Sequence, residues 1–241
     1  MFLDIHSHIL PAVDDGAQSL SESIEILKMM KSQGITHVIA TPHFYPFEDT
    51  LDDFSKKVTS AYNAIKIEAQ KNALPEIFLG AEVLYYEGIS DSMSLYDLCL
   101  SNSNFLLLEF SETNIPNRAF EDLRVLIENH GIIPIIAHIE RYAKNKNFKK
   151  LLRFIKGRNI PAQINADSLL ENSLASTFKM LFKKGIVTYI ATDSHSTDFR
   201  TPKLNEAKTI LDKKYDETIY KKLKANSIKF LDRITFEEFH I

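Results

Sequence analysis

Asp4-Ile5-His6-Ser7-His8 closes the first apolar, β-rich run of the chain and places two imidazoles at i and i+2 behind a carboxylate. Side chains alternate between the faces of a strand, so residues two apart point the same way, and His6 with His8 suits one metal ion. Alone, the pattern also occurs in ordinary strands. It decides the fold because metal-ligand residue types recur down the chain, each time where another apolar run ends. Asp14 and Asp15 follow in the next loop, His43 follows the run 38–41, Glu82 follows 77–81 and Glu109 follows 105–108. His138 stands at the end of 132–137, and Asp193 with His195 repeats the same-face spacing after 188–192. Ligands so far apart in sequence converge if their strands lie parallel and finish on one face.

Working outward, short β-rich runs alternate with longer segments of helical period, the pattern of parallel strands joined by crossover helices. The expected strands are 2–6, 37–41, 77–83, 105–110, 133–139, 161–165 and 187–192. The expected helices are 21–33, 51–72, 119–129, 148–156, 174–184 and 204–214, with a last packing helix over 217–231 and a short helix with loops within 87–104. Ser19 or Ser21 is available to cap the first helix, and Gly34, Gly131, Gly157 and Gly185 stand where helices stop. An open doubly wound sheet gathers ligands at one crevice, whereas here almost every strand end carries one. The expectation is therefore α/β: a distorted TIM-like (β/α)7 barrel, closed or nearly so, as a single domain over residues 1–241.

A chain of 241 residues with 44% hydrophobic content buries one sizeable core. The net charge of −3 and a pI near 6.2 supply no basic field for nucleic acid, and the lysines read as spread among acids on helices. The first ten residues do not read as a signal peptide, and no apolar run is long enough to span a membrane. Cys99 is the single cysteine, which suits a reducing compartment, so a cytoplasmic location is expected. It is followed by Leu100-Ser101-Asn102-Ser103-Asn104, without the arginine of a cysteine-phosphatase loop.

Simpler readings exist for several of these residues. His37 begins a strand, His130 precedes Gly131 at a helix end, and His240 lies in the tail. His43 also reads as a polar loop residue, and His138, amid Ile135, Ile136, Ala137 and Ile139, also reads as a core histidine. Asp14-Asp15-Gly16 is also a turn signature. Glu82 and Glu109 end apolar runs, where a carboxylate is costly unless it finds a cation, is protonated or reaches solvent. Arg141 extends just beyond His138; its planar fork suits phosphate, although an ion pair with Glu140 is the alternative. Arg200, after the last strand, is a second candidate phosphate contact, and the loop Phe44-Tyr45-Pro46-Phe47-Glu48-Asp49 either grips substrate or packs.

With Asp4-Ile5-His6-Ser7-His8-Ile9-Leu10-Pro11, Asp14-Asp15-Gly16, Ala40-Thr41-Pro42-His43, Gly80-Ala81-Glu82, Leu108-Glu109-Phe110, Ile136-Ala137-His138-Ile139-Glu140-Arg141 and Ala191-Thr192-Asp193-Ser194-His195, the chain resembles the polymerase and histidinol phosphatase (PHP) superfamily. It is more closely similar to the bacterial branch of manganese-dependent protein tyrosine phosphatases linked to capsule and exopolysaccharide synthesis. The resemblance implies a seven-stranded barrel with up to three metal ions at the carboxyl ends of the strands. It implies that His6, His8, Glu82 and Asp193 hold one ion, with Glu82 bridging to a second held by Glu109 and His138. A third would be held by His43, His195 and either Asp14 or Asp15. Carboxylates at Glu109 and at Asp14 or Asp15 favour manganese or iron over zinc. The implied catalytic residues are Arg141, Glu109 and His138; the implied partner is the tyrosine-phosphorylated tail of a bacterial kinase. A histidinol phosphatase and a non-catalytic phosphopeptide-binding regulator are the alternatives.

Overall fold

The computed structural model describes residues 1–237; His240 lies outside the described residues. Nine parallel strand segments form the sheet: β1 (Leu3–Ser7), β2 (His37–Ala40), β3 (His43–Phe44), β4 (Glu76–Leu79), β5 (Glu82–Leu84), β6 (Phe105–Glu109), β7 (Ile133–Ile136), β8 (Gln163–Asn165) and β9 (Tyr189–Ala191). Two staves are each broken once. Pro42, which lacks a backbone donor, separates β2 from β3, and Gly80-Ala81 separates β4 from β5. At Gly80 a Cβ would lie 2.6 Å from the Leu100 side chain, so the break is where another segment comes close. Pairing continues across both breaks through Gly80 N–H to Ala40 O and Glu82 N–H to Pro42 O.

The pairings β1-β2-β4, β3-β5-β6-β7 and β8-β9 are joined by bridges at Ile136 with Ala162 and at Ser7 with Ser194. Seven staves therefore close into a ring, the expected distorted barrel. Phe2, Val38, Leu106, Leu108, Ile136 and Ile190 face the shell of helices, while Leu3, Ile5, Ile39, Leu107, Ile135 and Ala191 form a separate cluster inside the ring. Helix α7 (Glu217–Glu237) closes the amino end of the ring. Its Phe230 lies 5.0 Å from the Phe105 ring and 5.7 Å from Tyr189, and Asn226 donates to Thr188 O. The open end carries the candidate ligands.

One irregularity aims the first motif. Leu3 pairs with His37 and Asp4 with Val38, but Ser7 pairs with Ala40, so β1 holds an extra residue over this interval. Such a bulge shifts the alternation by one. Leu3 and Ile5 thus fill the interior while His6 reaches the ligand cluster on the same side, and Ser7 turns to donate to Ile39 O.

The helices α1 (Leu20–Ser32), α2 (Leu51–Lys71), α3 (Ala119–His130), α4 (Phe148–Arg158), α5 (Ala175–Lys183) and α6 (Leu204–Lys214) follow the apolar periodicity. Ser19 caps α1 by accepting from Glu22 N–H. The run expected as one strand over 133–139 stops at Ile136, because His138 adopts φ +26° and the chain enters a 3-10 turn, Ile139–Lys144. Residues 89–102 form three short 3-10 turns. The expectation that lysines lie among acids fails on α4, where every charged residue from 144 to 158 is a cation. Among the described residues no helix is long and apolar enough to cross a membrane.

Candidate metal centre

His6 and His8 project from the end of β1, each fully buried. Their Nε2 atoms stand 3.1 Å apart. Glu82 Oε2 lies 3.1 Å from His6 Nε2, 3.3 Å from His8 Nε2 and 3.1 Å from His43 Nδ1, while Glu82 Oε1 lies 2.8 Å from His138 Nε2. Asp193 Oδ1 approaches His6 and His8 at 3.3 and 3.4 Å. Glu109 stands 3.8 Å from His43 and 3.5 Å from His138. His195 and His43 both face Asp15, at 3.4 and 3.5 Å. Strands from opposite sides of the ring thus bring nine of the expected ligands to one place.

Asp14 is placed differently from Asp15. Its Oδ2 sits 2.6 Å from His8 Nδ1 and accepts from His43 N–H, while Oδ1 accepts from Gly16 N–H. The turn lies so close to β1 that a Cβ on Gly16 would fall 2.1 Å from His8 O, which excludes larger residues there. Asp15 is largely exposed, with its carboxylate reaching back toward the histidines.

The electrostatics are those of a donor set short of positive charge. Burial alone would depress His8, but Asp14 at Nδ1, with Asp193 and Glu82 at Nε2, holds it well above its usual value. Burial likewise works against charge on His6, and Glu82 and Asp193 outweigh it. Glu109 is pushed up to about 8 by burial and then by the charge of Glu82, and burial lowers His43 to about 4. Three buried atoms in the cluster have no hydrogen-bond partner: His43 Nδ1, Asp193 Oδ1 and His195 Nε2. Such atoms carry a large desolvation cost. Ligand-capable atoms fall into three overlapping groups within 4.8 Å: His6, His8 and Asp193; His8, Asp15, His43 and His195; and His43, Glu82 and Glu109. Imidazole and carboxylate donors, mutually close, mostly buried and in part without hydrogen-bond partners, fit divalent cations.

Arg141 and Arg200 both reach Asp193 Oδ2, Arg141 at 3.0 Å, so the ion pair is with Asp193 and not with neighbouring Glu140. Glu140 is buried instead against Asn165 N–H. His138 and Asp193 adopt positive φ, +26° and +49°, as does Arg200 at +54°. Non-glycine residues held there cost stability and concentrate at functional sites.

Several contributors escape the sequence reading. Gln163 Oε1 accepts from His138 N–H and lies 3.3 Å from His6 Nδ1, and Asn165 donates to Asp193 Oδ2. They share the i, i+2 spacing of His6 and His8, which was the available signal. Tyr142, four residues after His138, places its hydroxyl 3.4 Å from His138 Nδ1 and accepts from Phe110 N–H. Tyr45 stacks on His43 with ring centroids 5.1 Å apart, so this member of the loop packs beside the site, whereas Phe47 is exposed. A cavity of about 300 Å³ opens there, lined by Asp15, His43, Tyr45, Asp49 and Lys57. Asp4 ties the ring shut by accepting from Thr192 N–H and Oγ.

A tyrosine-protein phosphatase CpsB of Streptococcus agalactiae serotype III is 31% identical over 224 residues, 87% of this chain and 89% of that protein. A solved chain described under crystal structures of YwqE from Bacillus subtilis and CpsB from Streptococcus pneumoniae, unique metal-dependent tyrosine phosphatases, superposes with a TM-score of 0.81 at 27% identity, covering 93% of this chain and 92% of that one. A histidinol phosphate phosphatase of Lactococcus lactis shares the fold alone, at a TM-score of 0.52 and 15% identity over 88% of this chain and 93% of that one. The model of the family described as capsular polysaccharide synthesis, CpsB/CapC, matches residues 2–232, and the chain belongs to that family.

Proposed function

We propose that the protein is a metal-dependent phosphomonoesterase that removes phosphate from tyrosine on a protein substrate, a bacterial tyrosine kinase of capsular or exopolysaccharide synthesis. The observation that carries this reading is the meeting of three overlapping ligand groups with two arginines at Asp193. The proposed ligands are His6, His8, Asp15, His43, Glu82, Glu109, His138, Asp193 and His195. Asp14 orients His8 through Nδ1, as carboxylates commonly do behind metal-binding histidines. The carboxylates Asp15, Glu82, Glu109 and Asp193 in this set favour manganese or iron over zinc. Divalent cations held here would supply Lewis acidity toward water and phosphoryl oxygens.

The chain's own residues supply the rest. Arg141 and Arg200 each carry more N–H donors than Asp193 uses, so their free donors can take phosphate oxygens and offset the dianion's charge. Asn165 keeps Asp193 in place while the arginines engage phosphate. Gln163 holds the His138 backbone in its strained turn. The stacked Tyr45 and the cavity beside it receive the aryl group of the substrate. The reading uses no thiol: Cys99 is buried, its thiol donating to Leu95 O, and it stands in none of the ligand groups. A substrate in the cytoplasm follows from the kinase assignment.

The deciding experiment measures phosphate release from a phosphotyrosine peptide and from histidinol phosphate, using metal-stripped protein with manganese, iron or zinc restored separately. Release favouring the peptide supports the proposal. Preference for histidinol phosphate moves the substrate to a small molecule, and binding of the peptide without release replaces the enzyme with a phosphopeptide-binding regulator. In the same assay Arg141→Ala is expected to lower kcat/KM by about a hundredfold, because one preorganised cationic donor to the phosphoryl group is gone. A loss below threefold would remove Arg141 from the phosphate site.

A further inference from the structure

Helices α4 and α5 leave a groove of about 470 Å³ between them on the outside of the barrel. Its floor is apolar, formed by Ala143, Phe148, Leu152, Met180 and Ile186, and its rim carries Lys149, Arg153, Lys156 and Lys184. The four cations are exposed, and none forms an ion pair with a described residue. Helix α4 is strongly amphipathic: Phe148, Leu151, Leu152 and Ile155 are buried, while Lys149, Arg153 and Lys156, at i, i+4 and i+7, form one outward stripe. Every charged residue from 144 to 158 is basic, and α5 adds Lys179 and Lys183 without an acid. In a chain of net charge −3 this is a concentrated, unneutralised positive face.

The groove begins beside the centre. Arg141, which reaches Asp193, and Ala143, which lines the groove, belong to the same 3-10 turn, Ile139–Lys144, and α4 starts four residues beyond it. A polypeptide with one residue at the metal centre can therefore continue over this turn and along α4. Eleven helical residues extend about 16 Å, the span of about five extended residues.

We propose that the α4–α5 groove docks an acidic segment of the same protein substrate, near its phosphotyrosine, with an apolar side chain seated on the floor and carboxylates on the rim. The proposal rests on the phosphatase reading above. A lipid surface fits less well, because no large apolar side chain of α4 or α5 is among the exposed hydrophobics that an inserting helix presents. Single-stranded nucleic acid needs exposed stacking platforms, but Phe154 is half-buried with Arg158 over its ring at 4.4 Å.

The test compares two phosphotyrosine peptides, one short and neutral, the other extended by about five residues of glutamate with one leucine, the length that spans α4. With the triple variant K149E/R153E/K156E, KM for the extended peptide is expected to rise at least about tenfold while kcat and the short peptide's kinetics stay unchanged. In the wild type, raising salt should weaken the extended peptide alone. Equal changes for both peptides, or none, would overturn the proposal. So would loss of anionic-vesicle or oligonucleotide binding, or a shift from dimer to monomer, with the extended peptide's KM unmoved. If neither peptide releases phosphate from wild-type protein, the phosphatase reading fails; docking is then read separately by anisotropy of the labelled acidic segment on wild type and variant, and equal binding overturns it.

Discussion

Glu82→Gln is expected to lower phosphate release on the order of a thousandfold while leaving the barrel folded. Glu82 is the hub of the centre: one carboxylate oxygen lies within 3.3 Å of His6, His8 and His43, and the other is 2.8 Å from His138. Its side chain is 1% exposed, so water does not replace what it supplies. Glutamine keeps the shape but removes the negative charge that would help hold a divalent cation and turns amide hydrogens toward imidazole nitrogens. Metal content measured by mass spectrometry should fall by at least about one ion per chain, in parallel with kcat. Circular dichroism should be unchanged, because the substitution conserves volume in a site flanked by β5, β6 and β7. Full metal content with activity within about tenfold of wild type would remove Glu82 from the proposed ligand set.

Residues that end apolar runs were legible because the run itself reports the strand. His43, Glu82, Glu109 and His138 were found in that way, as were the paired imidazoles of His6 and His8. What stayed hidden is local geometry that several sequences can produce. The extra residue in β1 reverses an alternation that the pattern of apolar residues does not fix, since Leu3, Ile5 and Ile9 are all buried. The end of β7 was placed too late because Ile139, buried after the turn, continues the apolar run without continuing the strand. Gln163 and Asn165 stand in a short, otherwise apolar run, and only the ring closure between β7, β8 and β9 reveals that they face His138 and Asp193. Asp14 and Asp15 are chemically identical in sequence; the close approach of Gly16 to His8 turns one inward to an imidazole and leaves the other toward the open mouth. Net charge concealed the basic face of α4 and α5, because the acids that balance it lie elsewhere on the molecule.

Removing divalent cations is expected to abolish phosphate release and to lower the melting temperature, and the two losses should reverse together when manganese is returned. In the cation-free protein the carboxylates of Glu82, Asp193 and Asp14 favour the protonated imidazoles: they hold His6 and His8 above their usual values despite burial. A cation therefore competes with protons already stabilised by the same carboxylates. Binding releases those protons, so affinity rises with pH and falls as the histidines protonate. At a free cation concentration about a hundred times Kd, linkage adds about 2.7 kcal/mol to the folded state. For a chain of 241 residues this corresponds to a rise of about 5 to 10 °C. Calorimetry with and without manganese, at two pH values on either side of neutrality, reads this directly: the gain should be larger at the higher pH. The sign separates a cation site from a histidine–carboxylate network that is complete by itself, which would be most stable with its imidazoles protonated and indifferent to manganese. Equal melting temperatures with and without manganese at both pH values, together with activity that survives chelation, would sink the metal centre.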